Sequence, residues 1–221
     1  MKRRFGFIIL VLAVASFWCV VTAYGQTDTV RFAFISDTHF GQTSQSGETL
    51  YPDQWLRKAL AGIERHKAGF IMHGGDMITS SNNASQYAMF DSVMVTPLPW
   101  YPMVGNHDVS EGASATSDKI TTWIQRGYGR GVANREYYGF VAKNVGAFFV
   151  LNSQAYTSTD PAVLARADSQ LVEMDNFFTA NEAIANKFVC SHAPLFISTQ
   201  AEDSAYFNIG PAYRNRIIAL M

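Results

Sequence analysis

Short apolar runs alternate along this chain with longer segments in which apolar positions recur at helical spacing. The short runs are rich in β-branched and aromatic residues and predict strands at residues 30–36, 70–73, 100–104, 136–141, 146–152 and 187–191. The longer segments predict helices at residues 53–67, 85–95, 118–126 and 161–180. Strands that alternate with helices indicate an α/β fold, in which ligand sites gather beyond the carboxyl ends of the strands.

Polar residues that can bind metal follow four of the predicted strands. The four segments are Asp37-Thr38-His39, His73-Gly74-Gly75-Asp76, Gly105-Asn106-His107-Asp108 and Ser191-His192. The two glycines before Asp76 allow a sharp turn that brings its carboxylate toward Asp37. Each segment alone is typical of a turn or a helix cap. Together they supply oxygen and nitrogen ligands without a thiolate, a set that suits Zn, Mn or Fe.

These segments, in this order, resemble the calcineurin-like metallophosphoesterase family, whose blocks run Asp-x-His, Gly-Asp, Gly-Asn-His-Asp or Glu, a separate His, and Gly-His-x-His. Residues 150–154, 192–196 and 206–209 are similar to the subgroup of calcineurin-like phosphoesterase domain proteins that includes a protein serine/threonine phosphatase. The resemblance implies a metallophosphoesterase-type β-sandwich flanked by helices. The Gly-His-x-His block does not occur before Met221, so we expect the C-terminal part of the domain to be missing from the chain as given.

The resemblance also implies a role for each site residue. Five residues are expected to bind two divalent or mixed-valence metal ions (Mn, Zn or Fe): Asp37 and His39 hold one ion, Asn106 and His192 hold the other, and Asp76 bridges them. His107, oriented by Asp108, is expected to face the substrate phosphate. A hydroxide activated by the two ions would attack phosphorus directly. Thr79 stands where purple acid phosphatases carry a tyrosine ligand, which disfavours a purple-type iron centre.

The expected function is therefore metal-dependent hydrolysis of phosphomonoesters. A phosphodiesterase or nucleotidase remains an alternative, because the same metal core serves both ester classes. A non-catalytic binding module is a further alternative if the last histidine block is truly absent. Residues 42–50 and 110–117 are the loops expected to select the substrate.

Composition and charge limit the partners of the domain. The 221 residues include 17 Lys and Arg against 18 Asp and Glu, so the sequence shows no basic surplus for binding nucleic acid. A phosphate-ester substrate must then be held locally, by metal ions or a few side chains. The hydrophobic content of 48% is sufficient for the core of one globular domain.

Residues 1–25 have the pattern of a secretory signal peptide, with Lys2, Arg3 and Arg4 ahead of an apolar run. Residues 26–221 would then form the mature domain in a secreted or periplasmic location. An uncleaved segment that anchors the protein in a membrane is the alternative. Cleavage would leave Cys190 as the only cysteine, which excludes an intrachain disulfide and predicts a buried, inert thiol.

Overall fold

The computed structural model describes residues 30–110 and 114–221, so the predicted signal peptide lies outside the described residues. The strands are β1 (Phe32–Ile35), β2 (Ser44–Gln45), β3 (Glu48–Thr49), β4 (Phe70–His73), β5 (Trp100–Pro102), β6 (Tyr138–Ala142), β7 (Gly146–Val150) and β8 (Lys187–Cys190). The α-helices are α1 (Pro52–Arg65), α2 (Ala84–Val93), α3 (Asn106–Val109), α4 (Ser117–Trp123), α5 (Pro161–Ala180) and α6 (Pro211–Ala219).

Two three-stranded sheets form the scaffold. In the first sheet β4 lies between β1 and β5, and all three strands are parallel. In the second sheet β7 pairs antiparallel with β6 and parallel with β8. Side chains alternate along a strand, so Phe70 and Met72 of β4 point to one face, where they cluster with Phe148 of β7. The two sheets therefore pack face to face as a sandwich, which confirms the predicted fold class.

Aromatic rings fill the space between the sheets. The Phe148 ring is stacked on Phe140 with centroids 5.0 Å apart and meets Phe70 edge-on at 5.7 Å. The Tyr138 hydroxyl donates a hydrogen bond of 2.8 Å to the carbonyl of Pro102, which ties the second sheet to the first. Such aromatic pairs contribute about 0.5–1.5 kcal/mol each beyond the burial of their area. These rings form the core between the two sheets.

Helices cover the outer faces of the sandwich. Helix α5 begins after Asp160, whose carboxylate accepts a hydrogen bond from the Ala162 amide, and Pro161 occupies its first turn. Its buried residues recur every three or four positions and pack in the same core as Phe149 of β7: Val163, Ala167, Leu171, Met174 and Phe178. On the first sheet, Phe90 of α2 meets the ring of His73 edge-on at 5.4 Å.

The structure differs from the predicted elements at several boundaries. The predicted helix at residues 118–126 ends as α4 at Trp123 and continues as a single π-helical turn, in which Gly127 adopts a φ of 87°. Residues 42–50, expected to be a loop, contain the short hairpin of β2 and β3. Cys190 is partly buried, and this burial raises the pKa of its thiol to about 12. Across residues 30–110 and 114–221, no helix is both long enough and apolar enough to span a membrane.

Candidate metal centre

The four polar segments meet at one end of the sandwich. Strands β1, β4 and β5 are parallel, so the residues that follow them emerge at the same edge of the sheet. The segment after β8 reaches the same place, because the His192 ring donates a 2.8 Å hydrogen bond to the carbonyl of Gly74. A cleft of about 900 Å³ opens there, and Asp37, Asp76, Asn106 and His192 are among the residues that line it.

Three of the residues at this edge hold the left-handed backbone conformation that favours glycine. Their φ angles are 55° for Asp37, 44° for His39 and 54° for Asp76. Each such conformation costs on the order of 1–3 kcal/mol in a non-glycine residue and persists only when neighbouring bonds enforce it. Here the amide of Asp37 donates to the carbonyl of Gly75, and the amide of His39 donates to the carbonyl of Asp76, both at 3.0 Å. The main chain of the two turns therefore fixes where these side chains point.

The donor atoms form two overlapping groups, each with all its ligand atoms within 4.8 Å of one another. One group contains Asp37, Asp76 and His192, and the other contains His39, Asp76 and His107. Asp76 belongs to both groups, as a residue shared between two metal ions must. The predicted pairing differed, since it placed Asp37 and His39 on one ion and kept His107 for the phosphate. Nε2 of His39 is 3.7 Å from Oδ1 of Asp37 and also 3.7 Å from Oδ2 of Asp76, so the ring faces both carboxylates.

Main-chain carbonyls select the tautomer of two of the histidines. Nδ1 of His107 lies 2.7 Å from the carbonyl oxygen of Thr79, and Nδ1 of His192 lies 2.8 Å from that of Gly74. A carbonyl oxygen only accepts, so Nδ1 carries the proton in both rings. Nε2 of each neutral ring is then left with a lone pair, which is the usual arrangement of a metal-binding histidine.

The side chains of His192 and Asn106 meet in an arrangement that suits a metal ion. Nε2 of His192 lies 3.1 Å from Oδ1 of Asn106, while the Asn106 amide nitrogen donates a 3.1 Å hydrogen bond to the Tyr206 hydroxyl. With Nδ1 protonated, two acceptor atoms face each other at hydrogen-bond distance, and they repel unless a proton or a metal ion lies between them. The donor set therefore fits a metal ion held by these two residues.

Nearby charges shift the titration of Asp37 and His39 in opposite directions. The adjacent His39 ring lowers the pKa of Asp37 to about 2, against the opposing effect of burial. The Asp37 carboxylate in turn raises the pKa of His39, again against burial. The carboxylate of Asp37 is thus ionised at neutral pH, as a metal ligand has to be.

Asp108 contacts the site through the main chain. Its side chain is fully buried, and its two oxygens accept 2.9 Å hydrogen bonds from the amides of Asp76, Met77 and Gly105. Burial, followed by the charge of Asp76, raises the pKa of Asp108 to about 7. The His107 ring itself is held by the carbonyl of Thr79, so Asp108 can position His107 only through the main chain. Asp108 clamps together the turns that follow β4 and β5.

His73 lies behind the site. It is fully buried, and burial lowers the pKa of its ring to about 3, so the ring is neutral. Its Nε2 is 3.2 Å from the hydroxyl of Thr38, and its Nδ1 accepts a hydrogen bond from the amide of Gly75. His73 thus supports the turns behind the site and is in neither group of possible metal ligands.

One wall of the cleft was not foreseen from the sequence. Tyr206 and Phe207 line it as adjacent aromatic residues that remain 70% and 64% exposed. Of the two loops expected to select the substrate, the one at 110–117 contributes Ser110 and Ser114, whereas none of the described lining residues comes from 42–50. The signals in the sequence were the pair of large aromatic residues and the resemblance of residues 206–209 to the family, and neither indicated a wall of the cleft.

Comparisons with known proteins agree with this geometry. A sequence model described as calcineurin-like phosphoesterase matches residues 30–217. A dimetal phosphatase from Danio rerio has a similar structure, with a TM-score of 0.59 and 13% identity over 87% of this chain and 77% of that chain. GAP50, the anchor in the inner membrane complex of Plasmodium, gives a TM-score of 0.55 and 14% identity over 86% of this chain and 61% of its own. No curated protein matches the chain.

Proposed function

Since the chain belongs to the calcineurin-like phosphoesterase family, whose members depend on two metal ions, we propose that it hydrolyses phosphomonoesters in the cleft at the end of the sandwich. The observation that carries this proposal is the convergence of the two ligand groups on Asp76. The contact of 3.1 Å between Nε2 of His192 and Oδ1 of Asn106 supports it as well, because both are atoms that commonly bind metal.

We assign the metal ligands as the motif comparison suggests. The residues that would hold two ions of Mn, Zn or Fe are Asp37, His39, Asp76, Asn106 and His192. When bound, such ions polarise phosphoryl oxygens and lower the pKa of a coordinated water. The carboxylates and the imidazoles here provide the oxygen and nitrogen donors that these metals prefer.

His107 is proposed as the proton donor to the leaving group. Its ring lines the cleft, and the Thr79 carbonyl fixes Nδ1, so that Nε2 is the atom available to substrate. In the reaction the oxygen of a water molecule forms the new bond to phosphorus and one of its protons passes to solvent. The ester P–O bond breaks, and the leaving alkoxide takes a proton from Nε2 of the ring, which first gains that proton from solvent. General acid catalysis of this kind contributes about 10²- to 10⁴-fold.

Asp76 and Asp108 hold the main chain that carries His107. The amide of His107 donates a 2.9 Å hydrogen bond to Oδ1 of Asp76, and Asp108 accepts from the amide of Asp76 in one turn and of Gly105 in the next. A positioned group has to stay within a fraction of an ångström of its productive geometry to be effective. Asp108 is therefore a positioning residue.

The shape of the cleft supports a monoester rather than a diester. A diester carries two organic groups, whereas the described part of the cleft has a single apolar wall, formed by Ile197, Tyr206 and Phe207. Ala193, Pro194 and Ala205 are smaller apolar lining residues, and Gln154 and Thr159 are among the polar ones. One apolar wall beside one metal centre accommodates one organic group on one phosphate.

We also propose that the enzyme acts outside the cytoplasm, in a secreted or periplasmic location. The basis is the signal pattern in residues 1–25, and an uncleaved segment would instead leave the domain attached to a membrane. The near balance of 17 basic and 18 acidic residues supports a small phosphate ester rather than nucleic acid as partner.

The test is hydrolysis of a phosphomonoester and a phosphodiester of the same phenol by the full-length protein, with Mn or Zn added and with a chelator. We expect metal-dependent turnover that favours the monoester, and loss of turnover in Asp76→Asn with the circular dichroism spectrum retained. Preference for the diester would reassign the substrate class. Absence of turnover with every metal, by protein that binds metal, would favour a non-catalytic binding module.

A further inference from the structure

Resting on the proposed phosphomonoesterase function, we infer that Tyr206 and Phe207 form an aromatic wall that selects esters of planar aromatic alcohols bearing a single phosphate. The term aromatic wall denotes these two residues throughout, and the wall loop denotes residues 195–210, which carry them. The inference depends on the exposure of the two rings, on how the loop is held, and on the charges along the cleft.

The aromatic wall lies directly beside the metal ligands. The hydroxyl of Tyr206 accepts a 3.1 Å hydrogen bond from the side-chain amide of Asn106, which places the ring next to a residue of the centre. The Tyr206 and Phe207 rings meet edge to face with centroids 4.8 Å apart. This pair presents both a ring face and a ring edge to the cleft, the two surfaces against which another aromatic ring packs well.

Two charged side chains hold the wall loop, and the first of them, Glu202, belongs to the loop itself. The carboxylate of Glu202 accepts hydrogen bonds of 2.7, 2.8 and 3.1 Å from the amides of Ile197, Ser198 and Thr199. Those bonds lower the pKa of Glu202 to about 2. A loop secured in this way does not fold its aromatic side chains into the core.

Arg214 of α6 secures the same loop from the other side. Its side chain is fully buried and donates hydrogen bonds to main-chain carbonyls of the loop, namely those of Leu195, Gln200, Glu202 and Ile209. Exposed aromatic side chains on a mobile loop would need no explanation, because such a loop can bury them transiently. Tyr206 and Phe207 are instead kept exposed by the buried Arg214 and by the bound carboxylate of Glu202. Because they lie beside the proposed catalytic centre, they indicate a recognition surface.

The charges along the cleft restrict the rest of the substrate. No lysine or arginine occurs among the described residues that line it, and the only carboxylates there are those of Asp37 and Asp76. A second phosphate or a carboxylate on the substrate would find no cationic side chain to pair with. The preferred substrate thus carries one phosphate, which the metal centre receives, on an uncharged aromatic alcohol.

The test compares benzyl phosphate with ethyl phosphate, whose leaving alcohols are similarly acidic and differ chiefly in the ring. We expect the full-length, metal-loaded protein to prefer benzyl phosphate about tenfold in kcat/KM. Phe207→Ala should lower kcat/KM for benzyl phosphate about 3- to 10-fold, the size expected for one lost aromatic pair, and should lower that for ethyl phosphate much less. Phe196→Ala is the matched control, because Phe196 is an exposed aromatic residue of the same loop that does not line the cleft.

Two further measurements separate this inference from the proposed function. Tyr206→Phe keeps the ring and removes the hydroxyl, so it should retain the preference for benzyl phosphate while lowering kcat for both esters through Asn106. Binding of benzylphosphonate and ethylphosphonate, which cannot be hydrolysed, should show the same preference by calorimetry whether or not turnover occurs. Equal binding of the two phosphonates, or equal loss on both esters in Phe207→Ala, would overturn the inference. Turnover of ethyl phosphate alone would leave the phosphomonoesterase assignment standing.

Discussion

The residues of the metal-centre floor and those of the wall loop are held in position in different ways. The floor, meaning Asp37, Asp76, Asn106 and His192, consists of residues directly after strands, with its turns joined by main-chain hydrogen bonds. The wall loop contains no strand and depends on Glu202 and Arg214, whose side chains bind its main chain. One surface is thus positioned by the sheet and the other by two charged side chains.

The difference bears on how the two surfaces can change. A ligand in the floor cannot move without disturbing a turn in which several amides and carbonyls are already paired. A residue at the tip of the wall loop can be replaced while the contacts of Glu202 and Arg214 stay intact. We therefore expect changes in the floor to affect every substrate and changes in the aromatic wall to affect the choice among substrates.

The largest effect is expected for His107→Ala. The variant should lose about 10²- to 10⁴-fold in kcat on ethyl phosphate, because the ethoxide leaving group needs a proton. The loss on phenyl phosphate should be much smaller, since a phenol with a pKa of about 10 leaves readily as its anion. Steady-state kinetics with both esters measures the difference.

The exposed His66 provides the control for that variant, and His66→Ala should behave as wild type on both esters. An equal loss on phenyl and ethyl phosphate would show that His107 acts on the metal centre rather than on the leaving group. This would also be the outcome if His107, which belongs to one of the two ligand groups, bound a metal ion itself.

The next largest effect concerns the wall loop. Arg214→Met should lower the free energy of unfolding by about 3 kcal/mol, because it leaves several carbonyls without a donor. Urea denaturation measures this change. Arg216→Met on the same helix is the matched control. Arg216 is exposed, pairs with the exposed Asp168 and lies over the Tyr213 ring, and its replacement should change stability by less than about 1 kcal/mol. Equal effects in the two variants would contradict a special role for Arg214.

A smaller effect is expected for Gly105→Ala in the floor. A Cβ atom at this position would lie 2.1 Å from Oδ1 and 2.3 Å from the amide nitrogen of Asp76, so the turn has to shift. We expect metal affinity to fall about 10- to 100-fold, as it does when the support of a ligand is disturbed. Calorimetric titration with Mn or Zn measures the affinity. Gly62→Ala in α1, where a Cβ atom would meet nothing within 4 Å, should bind metal as wild type does.

The smallest expected effect is a pH dependence of stability that arises in the wall loop. The pKa of Glu202 is lowered from 4.5 to about 2, so its contribution to stability is complete above pH 4.5 and is lost as the pH falls toward 2. The stability difference between wild type and Glu202→Gln should therefore shrink across this interval. Urea denaturation between pH 6 and pH 2 follows it, with the exposed Glu182→Gln as control. A difference independent of pH would contradict this role of Glu202.

The sequence predicted the floor far better than the wall loop. Asp37, Asp76, Asn106 and His192 each follow an apolar run that predicts a strand. The carboxyl ends of parallel strands meet at one edge of a sheet. Their joint location therefore depends only on the sheet, which the pattern of apolar residues already indicates. The individual metal-binding roles remain proposals, because the geometry groups the donors differently from the family pattern.

Other features depend on contacts that no local pattern encodes. The exposure of Phe207 follows from the contacts of Glu202 and of Arg214, which lies seven positions further along on a helix. The position of Asp108 follows from three amides supplied by two different turns. Sequence alone placed Asp108 beside its neighbour His107, although the fold turns its carboxylate toward Asp76.

The strained left-handed backbone at Asp37, His39 and Asp76 lowers the thermal stability of the protein. Glycine adopts these φ angles without strain, so replacing Asp37 or His39 should recover roughly 1 kcal/mol of stability while removing a proposed metal ligand. At Asp76 the lost hydrogen bond from the His107 amide offsets this gain. A mutant library screened only for survival at high temperature would accumulate glycine at Asp37 and His39 and lose the enzyme. Thermostabilisation of this protein should therefore hold these three positions fixed and look for gains elsewhere.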